Sequence, residues 1–154
     1  SVTSPGFFIF QTKNTTPAAF ANDASNITYA PGKALNKINA VLKVPTDWII
    51  DGVEVYEKIN ESKSKKRFGS DVDAGYVMQT VKLGHSVYRN VDAVATKKIE
   101  GNADKLVYNY QYGADPSHID AEASMKNGAK IVYMDTNNST SDFHERKQFS
   151  LRDK

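Results

Sequence analysis

The chain has 154 residues, enough for one domain that buries most of its apolar surface without covalent staples. Apolar residues make up 40% and charged residues 25%, which excludes wholesale disorder; a formal charge of +2 without a basic stripe is too small to argue for nucleic acid, and none is expected as a partner. Zero cysteines exclude disulfides and thiolate metal sites, and no run approaches the roughly 20 apolar residues of a membrane-spanning helix.

Ser1-Val2-Thr3-Ser4-Pro5 leads, without an initiator methionine or signal peptide, into the aromatic run Phe7 to Gln11, which reads as a strand. Such a start is expected of a piece of a longer protein, whose export signal or lipid anchor would lie upstream. After the polar connection Thr12 to Asn26, residues 38–44 alternate. Ile38, Ala40, Leu42 and Val44 fall on one face, with Asn39, Val41 and Lys43 on the other. Beyond the turn Pro45-Thr46-Asp47, two strand pieces follow, Trp48-Ile49-Ile50 and Val53-Glu54-Val55-Tyr56, interrupted by a bulge or bend at Asp51-Gly52. Glu57 to Asp73 is a Lys- and Ser-rich loop, and Val91 to Lys105 a charged one. Tyr76 to Val81, Ser86 to Arg89, Leu106 to Tyr112 and Lys130 to Met134 complete the strands. One helix is expected, capped by Asp115, with Pro116 at its first position and Ile119 to Lys126 as its body before Asn127-Gly128. Mostly antiparallel strands, long loops and one short helix predict a single mainly-β domain, a β-sandwich over residues 1–154.

The residues that carry chemistry are sparse. His85, His118 and His144 are scattered, in no ligand pattern and beside no nucleophile, and are read as surface groups. Asp71-Val72-Asp73 sets two acids on the same side of an extended segment, and Asp51 and Glu54 flank the bend. Paired acids serve glycoside hydrolysis across a cleft, and also simply cap turns. Asp135, Asn137 and Ser139 have the alternating oxygen spacing that opens a calcium loop, but the central glycine and distal glutamate are missing, and a self-capped turn explains them equally. Calcium is the one cofactor this spacing suggests. Leu106, Tyr108, Tyr110 and Tyr112 would share a strand face; with Trp48 they could stack on a sugar or grip a peptide, or merely pack. Lys63, Lys65, Lys66 and Arg67 lack the aromatic interleaving of single-strand binders and read as a solvated loop. The sequons at Asn14, Asn26, Asn60, Asn137 and Asn138 matter only in a eukaryotic secretory setting.

Several pieces taken together resemble a known family. They are Gly6-Phe7-Phe8-Ile9-Phe10, Trp48 to Tyr56, Asp73-Ala74-Gly75-Tyr76, Ser86-Val87-Tyr88-Arg89, and the closing Asp135-Thr136-Asn137-Asn138-Ser139-Thr140-Ser141-Asp142-Phe143. In that order they resemble a lamin-tail domain, with its "ivDaVey" strand, its Ser-Val-x-Arg strand and its Asp-Thr-Asn-Asn-x-x-x-Asp-Phe close. The likeness extends to the C-terminal part of uncharacterised exported lipoproteins of Bacteroides and relatives. The resemblance implies an immunoglobulin-like β-sandwich, no known catalytic residues, and a cell-envelope setting at the outer-membrane surface. The stretch from Val91 to Met134 departs from the compact lamin tail, and the near-neutral charge gives no ground for carrying over DNA binding. The function expected is a non-enzymatic interaction module. Its partner would be an envelope protein or an extracellular glycan, with membrane contact only through an anchor outside the chain. The alternatives are carbohydrate binding through the tyrosine strand and Trp48, or a hydrolase using Asp51, Glu54, Asp71 or Asp73.

Overall fold

The computed structural model describes residues 5–80, 84–111 and 113–148. Its fold is β-rich, built from small antiparallel and mixed sheets with short helices, and it divides into a smaller unit, Phe8–Gly52, and a larger one, Ser1–Phe7 with Val53–Lys154. Two strands, β1 (Gly6–Phe10) and β4 (Ile49–Glu57), cross that division.

In the smaller unit Thr16 caps helix α1 (Pro17–Asn22) by accepting the Ala19 N–H at 3.1 Å, with Pro17 at the first position where no donor is needed. The helix buries Phe20, whose ring meets Phe10 at 6.4 Å and Trp48 at 4.9 Å between centroids. A hairpin of β2 (Ile27–Tyr29) and β3 (Ala40–Leu42) pairs Ile27 with Leu42, Thr28 with Val41 and Tyr29 with Ala40. The alternation over 38–44 therefore yields only three strand residues. The Asn36 side chain accepts the Asn39 N–H and winds Lys37–Asn39 into a 3₁₀ turn, which removes Ile38 from the strand face.

In the larger unit β4 is buried at Glu54, Val55 and Tyr56 and pairs in parallel with β5 (Val77–Gln79), where mostly antiparallel pairing was expected. Asp51-Gly52 does not interrupt β4, which runs through as one strand, while Trp48 belongs to the preceding 3₁₀ turn. The strand β6 (Ser86–Arg89) forms where expected and pairs antiparallel with β9 (Phe143–Arg146), a strand absent from the expected set. The pair β7 (Val107–Tyr108) and β8 (Ile119–Asp120) is only two residues long.

Among the described residues four short α-helices replace the single one expected: α1, α2 (Ala93–Lys98), α3 (Ala121–Lys126) and α4 (Ser139–Asp142). The cap of α3 is Asp120, not Asp115, because Asp115 spends its carboxylate on the Val91 N–H at 3.0 Å and the Ser117 N–H at 2.8 Å. One apolar cluster gathers the buried Val91, Ile119 and Ala121, flanked by Ala93, Leu106, Met125, Ile131 and Tyr133.

The segment 130–134 reads as a strand yet makes a single bridge, Tyr133 to Val91. Beside that bridge the Asp92 N–H donates to the Val132 carbonyl and the Met134 N–H to the Asn90 carbonyl, at 2.9 Å each, and two side chains satisfy other backbone groups of the segment. Asn102 accepts the Lys130 N–H at 2.9 Å and donates to the Lys130 carbonyl at 2.7 Å; the Thr96 hydroxyl accepts the Val132 N–H at 3.0 Å. Both side chains are buried, so the backbone groups they satisfy would otherwise be costly orphans.

Candidate functional site

The closing motif and the strands beside it hold an unusual concentration of buried polar groups: Glu54, Asp73, Asn90, Ser139, Asp142, His144 and Arg146 are each at most 7% exposed. Asp73 lies at one end. Its Oδ1 accepts the Gly75 and Ser139 N–H groups at 2.9 Å each, and its Oδ2 accepts the Glu54 N–H at 2.9 Å and the Ser139 hydroxyl at 2.8 Å. Burial pushes the Asp73 pKa up, but these donors from Ser139, Glu54 and Gly75 outweigh it and hold the carboxyl below its ordinary range. The Glu54 carboxylate accepts the Arg67 N–H at 2.6 Å and pairs with the Lys66 ammonium at 2.5 Å; that ammonium also lies 3.9 Å from Asp73. Lys66 is thus an ion-pair partner of a wholly buried acid rather than part of a solvated loop.

Asp142 closes the motif on itself, accepting the Thr136 N–H and hydroxyl at 2.8 Å each and the Asn138 N–H at 3.3 Å. Gly75 is required by close approach: a β-carbon there would sit 2.1 Å from Asn138 Oδ1 and 2.7 Å from the Thr140 amide nitrogen. Asn90 joins this loop to β9. Its amide donates to the Ser141 carbonyl at 2.7 Å, which leaves Oδ1 as acceptor for His144 Nδ1 at 2.6 Å.

The other imidazole nitrogen, Nε2, accepts the Arg146 Nε–H at 3.1 Å, so His144 is the neutral tautomer with its proton on Nδ1. Burial lowers its pKa; Asp115 opposes this, Arg146 adds to it, and Glu122 opposes it again. The Arg146 guanidinium is clamped between the Tyr88 ring at 3.7 Å and the Tyr110 ring at 4.2 Å, and donates through Nη1 to both Glu122 oxygens at 3.0 and 2.9 Å. Beside it lie a hollow of about 320 Å³ lined by Tyr88, Arg89, Glu122, Tyr133 and Arg146, and a void of about 40 Å³ lined by His118 and His144 among others.

The residues singled out from sequence are not gathered into one place. Tyr108 ends β7, 43% exposed, with Lys97 Nζ 5.7 Å above its ring. At Asn109 the backbone turns to φ 68°, so Tyr110 leaves the strand for Arg146, and Tyr112 lies outside the described residues. Trp48 is in the smaller unit, packed on Phe20. Asp135 and Asn137 are exposed, whereas Ser139 is buried with its hydroxyl given to Asp73. Among the described residues no group of three or more His, Asp or Glu is placed to hold a metal.

Asp71 and Asp73 do not share a face: they lie in a turn in which the Val72 and Asp73 N–H groups both donate to the Gly69 carbonyl, leaving Asp71 exposed and Asp73 buried. Nor are the histidines all at the surface. His118 is exposed and outside any helix, His85 Nδ1 is 2.9 Å from Glu145, and His144 is buried. The central members, Asn90, His144 and Arg146, escape a reading by apolar periodicity because β9 turns His144 and Arg146 inward and Phe143 and Glu145 outward. The one available signal was the alternation itself.

Nearly every buried polar atom in this cluster is spent on another group of the same fold. A family model described as "Protein of unknown function (DUF4876)" matches residues 1–150. No curated protein and no solved structure matches the chain.

Proposed function

The chain belongs to the DUF4876 family, and from that premise we propose that it is a non-catalytic interaction module of a cell-surface protein, which takes a protein partner along the exposed strand surface of its smaller unit. The observation that carries this reading is the exposure of β1 and of Ile50 on its neighbour β4. Ile9 and Ile50 are 60% and 63% exposed, and β1 is the outer strand in the order β1-β4-β5 among the described residues. An edge strand with large apolar side chains in water is a template for an added strand unless something covers it. The buried polar cluster supports the same reading from the other side: His144 has both ring nitrogens engaged and Ser139 donates to Asp73, so neither is poised as base or nucleophile.

We infer further that the sheets belong to a lamin-tail-like, immunoglobulin-like sandwich. The ground is that the motif pieces Gly6–Phe10 and Ser86–Arg89 are each a strand, as is Trp48–Tyr56 from Ile49 onward. The envelope setting rests on that resemblance.

The test is capture of envelope proteins by the chain and by Ile9→Lys, which places a charge on the edge and leaves the buried residues alone. A partner held by the parent chain and lost with Ile9→Lys is the expected result. No partner, or one retained equally by the variant, would refute the edge as the binding surface.

A further inference from the structure

We propose that the β2–β3 hairpin is a peripheral membrane-docking element, which sets the aliphatic tip of its loop into the headgroup region of an anionic lipid surface. The most exposed large apolar side chains of the smaller unit are Ile38, at 93%, and Leu35, at 79%, and both sit in the loop between β2 and β3. This loop is ordered by its own bonds. Ala30-Pro31-Gly32-Lys33 is a turn closed by the Lys33 N–H on the Ala30 carbonyl at 3.1 Å, with Gly32 at φ 71°. Asn36 accepts the Asn39 N–H at 3.2 Å, and the Asn39 amide donates to the Ala34 carbonyl at 2.9 Å. Two aliphatic side chains are therefore held out in water by a built turn.

The charge around them has one sign. Residues 27–43 include Lys33, Lys37 and Lys43, all exposed, and no Asp or Glu. The pairing register puts Ile27, Tyr29 and Leu42 on one face of the hairpin, 38–40% exposed, and Val41 on the other, 46% exposed. Apolar groups on both faces and at the tip do not suit a folded partner, which covers one side. They suit immersion in a medium that surrounds the loop, with lysines at the phosphate level and a tyrosine at the boundary. The contact is peripheral, since among the described residues no helix is long and apolar enough to cross a membrane.

The proposal goes beyond the edge-strand partner and uses different residues, so either can fail alone. The full chain is tested with vesicles of phosphatidylcholine, alone or with about one-third phosphatidylglycerol. Binding should need the anionic lipid and weaken with salt, and Lys33→Gln, Lys37→Gln and Lys43→Gln should each cost about fivefold. Leu35→Ser with Ile38→Ser should cost about tenfold or more while the circular dichroism spectrum and thermal midpoint stay put. Because the chain has no cysteine, Ile38→Cys takes a single environment-sensitive fluorophore, expected to blue-shift on anionic vesicles; the same label at Val94→Cys should not respond. Absence of binding, binding unaffected by either set of substitutions, or an equal response at Val94 would overturn the proposal. A response to polyglutamate without one to vesicles would also overturn it, and would mark a docking surface for an acidic protein instead.

Discussion

Replacing Asp73 by Asn keeps the shape of a fully buried side chain and removes its charge and one acceptor oxygen. With the amide oxygen at the Oδ1 position, the Gly75 and Ser139 N–H groups keep their partner and the Ser139 hydroxyl can rotate to accept, but the Glu54 N–H then faces an NH₂ group. The reverse orientation orphans two backbone donors instead of one, so the first sets the minimum cost. A hydrogen bond to a charged acceptor contributes about 1.5–3 kcal/mol, and an orphaned buried donor costs about 1–3 kcal/mol. Relief of like charge at Glu54, which shares Lys66 with Asp73, returns a small part. The expected loss is about 2–4 kcal/mol, read by urea unfolding at pH 7, with a fall in thermal midpoint of about 2–4 °C per kcal/mol for a chain of this size. Asp73→Ala should lose more. The sign with pH follows from the lowered pKa: the stabilisation is present above the unfolded value of about 3.9 and disappears as pH falls through the folded value. The gap between parent and variant should therefore narrow below about pH 4. A variant within about 0.5 kcal/mol of the parent at pH 7 would refute the role given to this carboxylate.

Nitrogen NMR at neutral pH should show His144 neutral with its proton on Nδ1, titrating below the ordinary histidine value of about 6.5; an imidazolium or an Nε2-protonated ring would contradict the bonds assigned here. Because that pKa is lowered, its share of stability is present above about pH 6.5 and lost on acidification through the folded value, so a parent no less stable at pH 5 than at pH 7 would tell against it. Arg146→Lys keeps the charge but cannot span the two tyrosine rings and the His144 and Glu122 acceptors, and should cost about 2–4 kcal/mol in urea unfolding; near-neutrality would show that charge alone suffices. Gly75→Ala brings a β-carbon against the Thr140 backbone and should destabilise by about 1–3 kcal/mol or more, whereas an unchanged midpoint would mean that the loop gives way freely.

What the sequence made legible is what local pattern encodes. The strands at 6–10 and 86–89 follow from runs of β-formers, and Asp135 to Asn138 forms a turn held by side chains of its own motif, although Ser139–Asp142 then winds into α4 and Phe143 opens β9. Other parts were settled by contacts distant in sequence. Lys130 to Met134 has strand composition, yet Asn102 and Thr96 occupy its backbone groups from about thirty residues away. The tyrosine row fails at one residue, Asn109, whose left-handed backbone no periodicity foretells. Asp73 illustrates the harder case. A carboxylate in a polar stretch reads as solvated, and only the fold brings Ser139, 66 positions later, to its side. Glu54, Asp73, Ser139 and Asp142 were thus present in the motif letters but not in any pattern of burial, and Asn90, His144 and Arg146 lie outside the motif altogether.

Site-specific photo-crosslinking in living cells separates scaffold from binding surface most directly. A benzophenone side chain at Ile9 should form an adduct with one envelope protein, while the same group at Ile59, which is 84% exposed in the larger unit, should not. An adduct absent at Ile9, or equally strong at Ile59, would contradict the assignment of function to the exposed strands of the smaller unit.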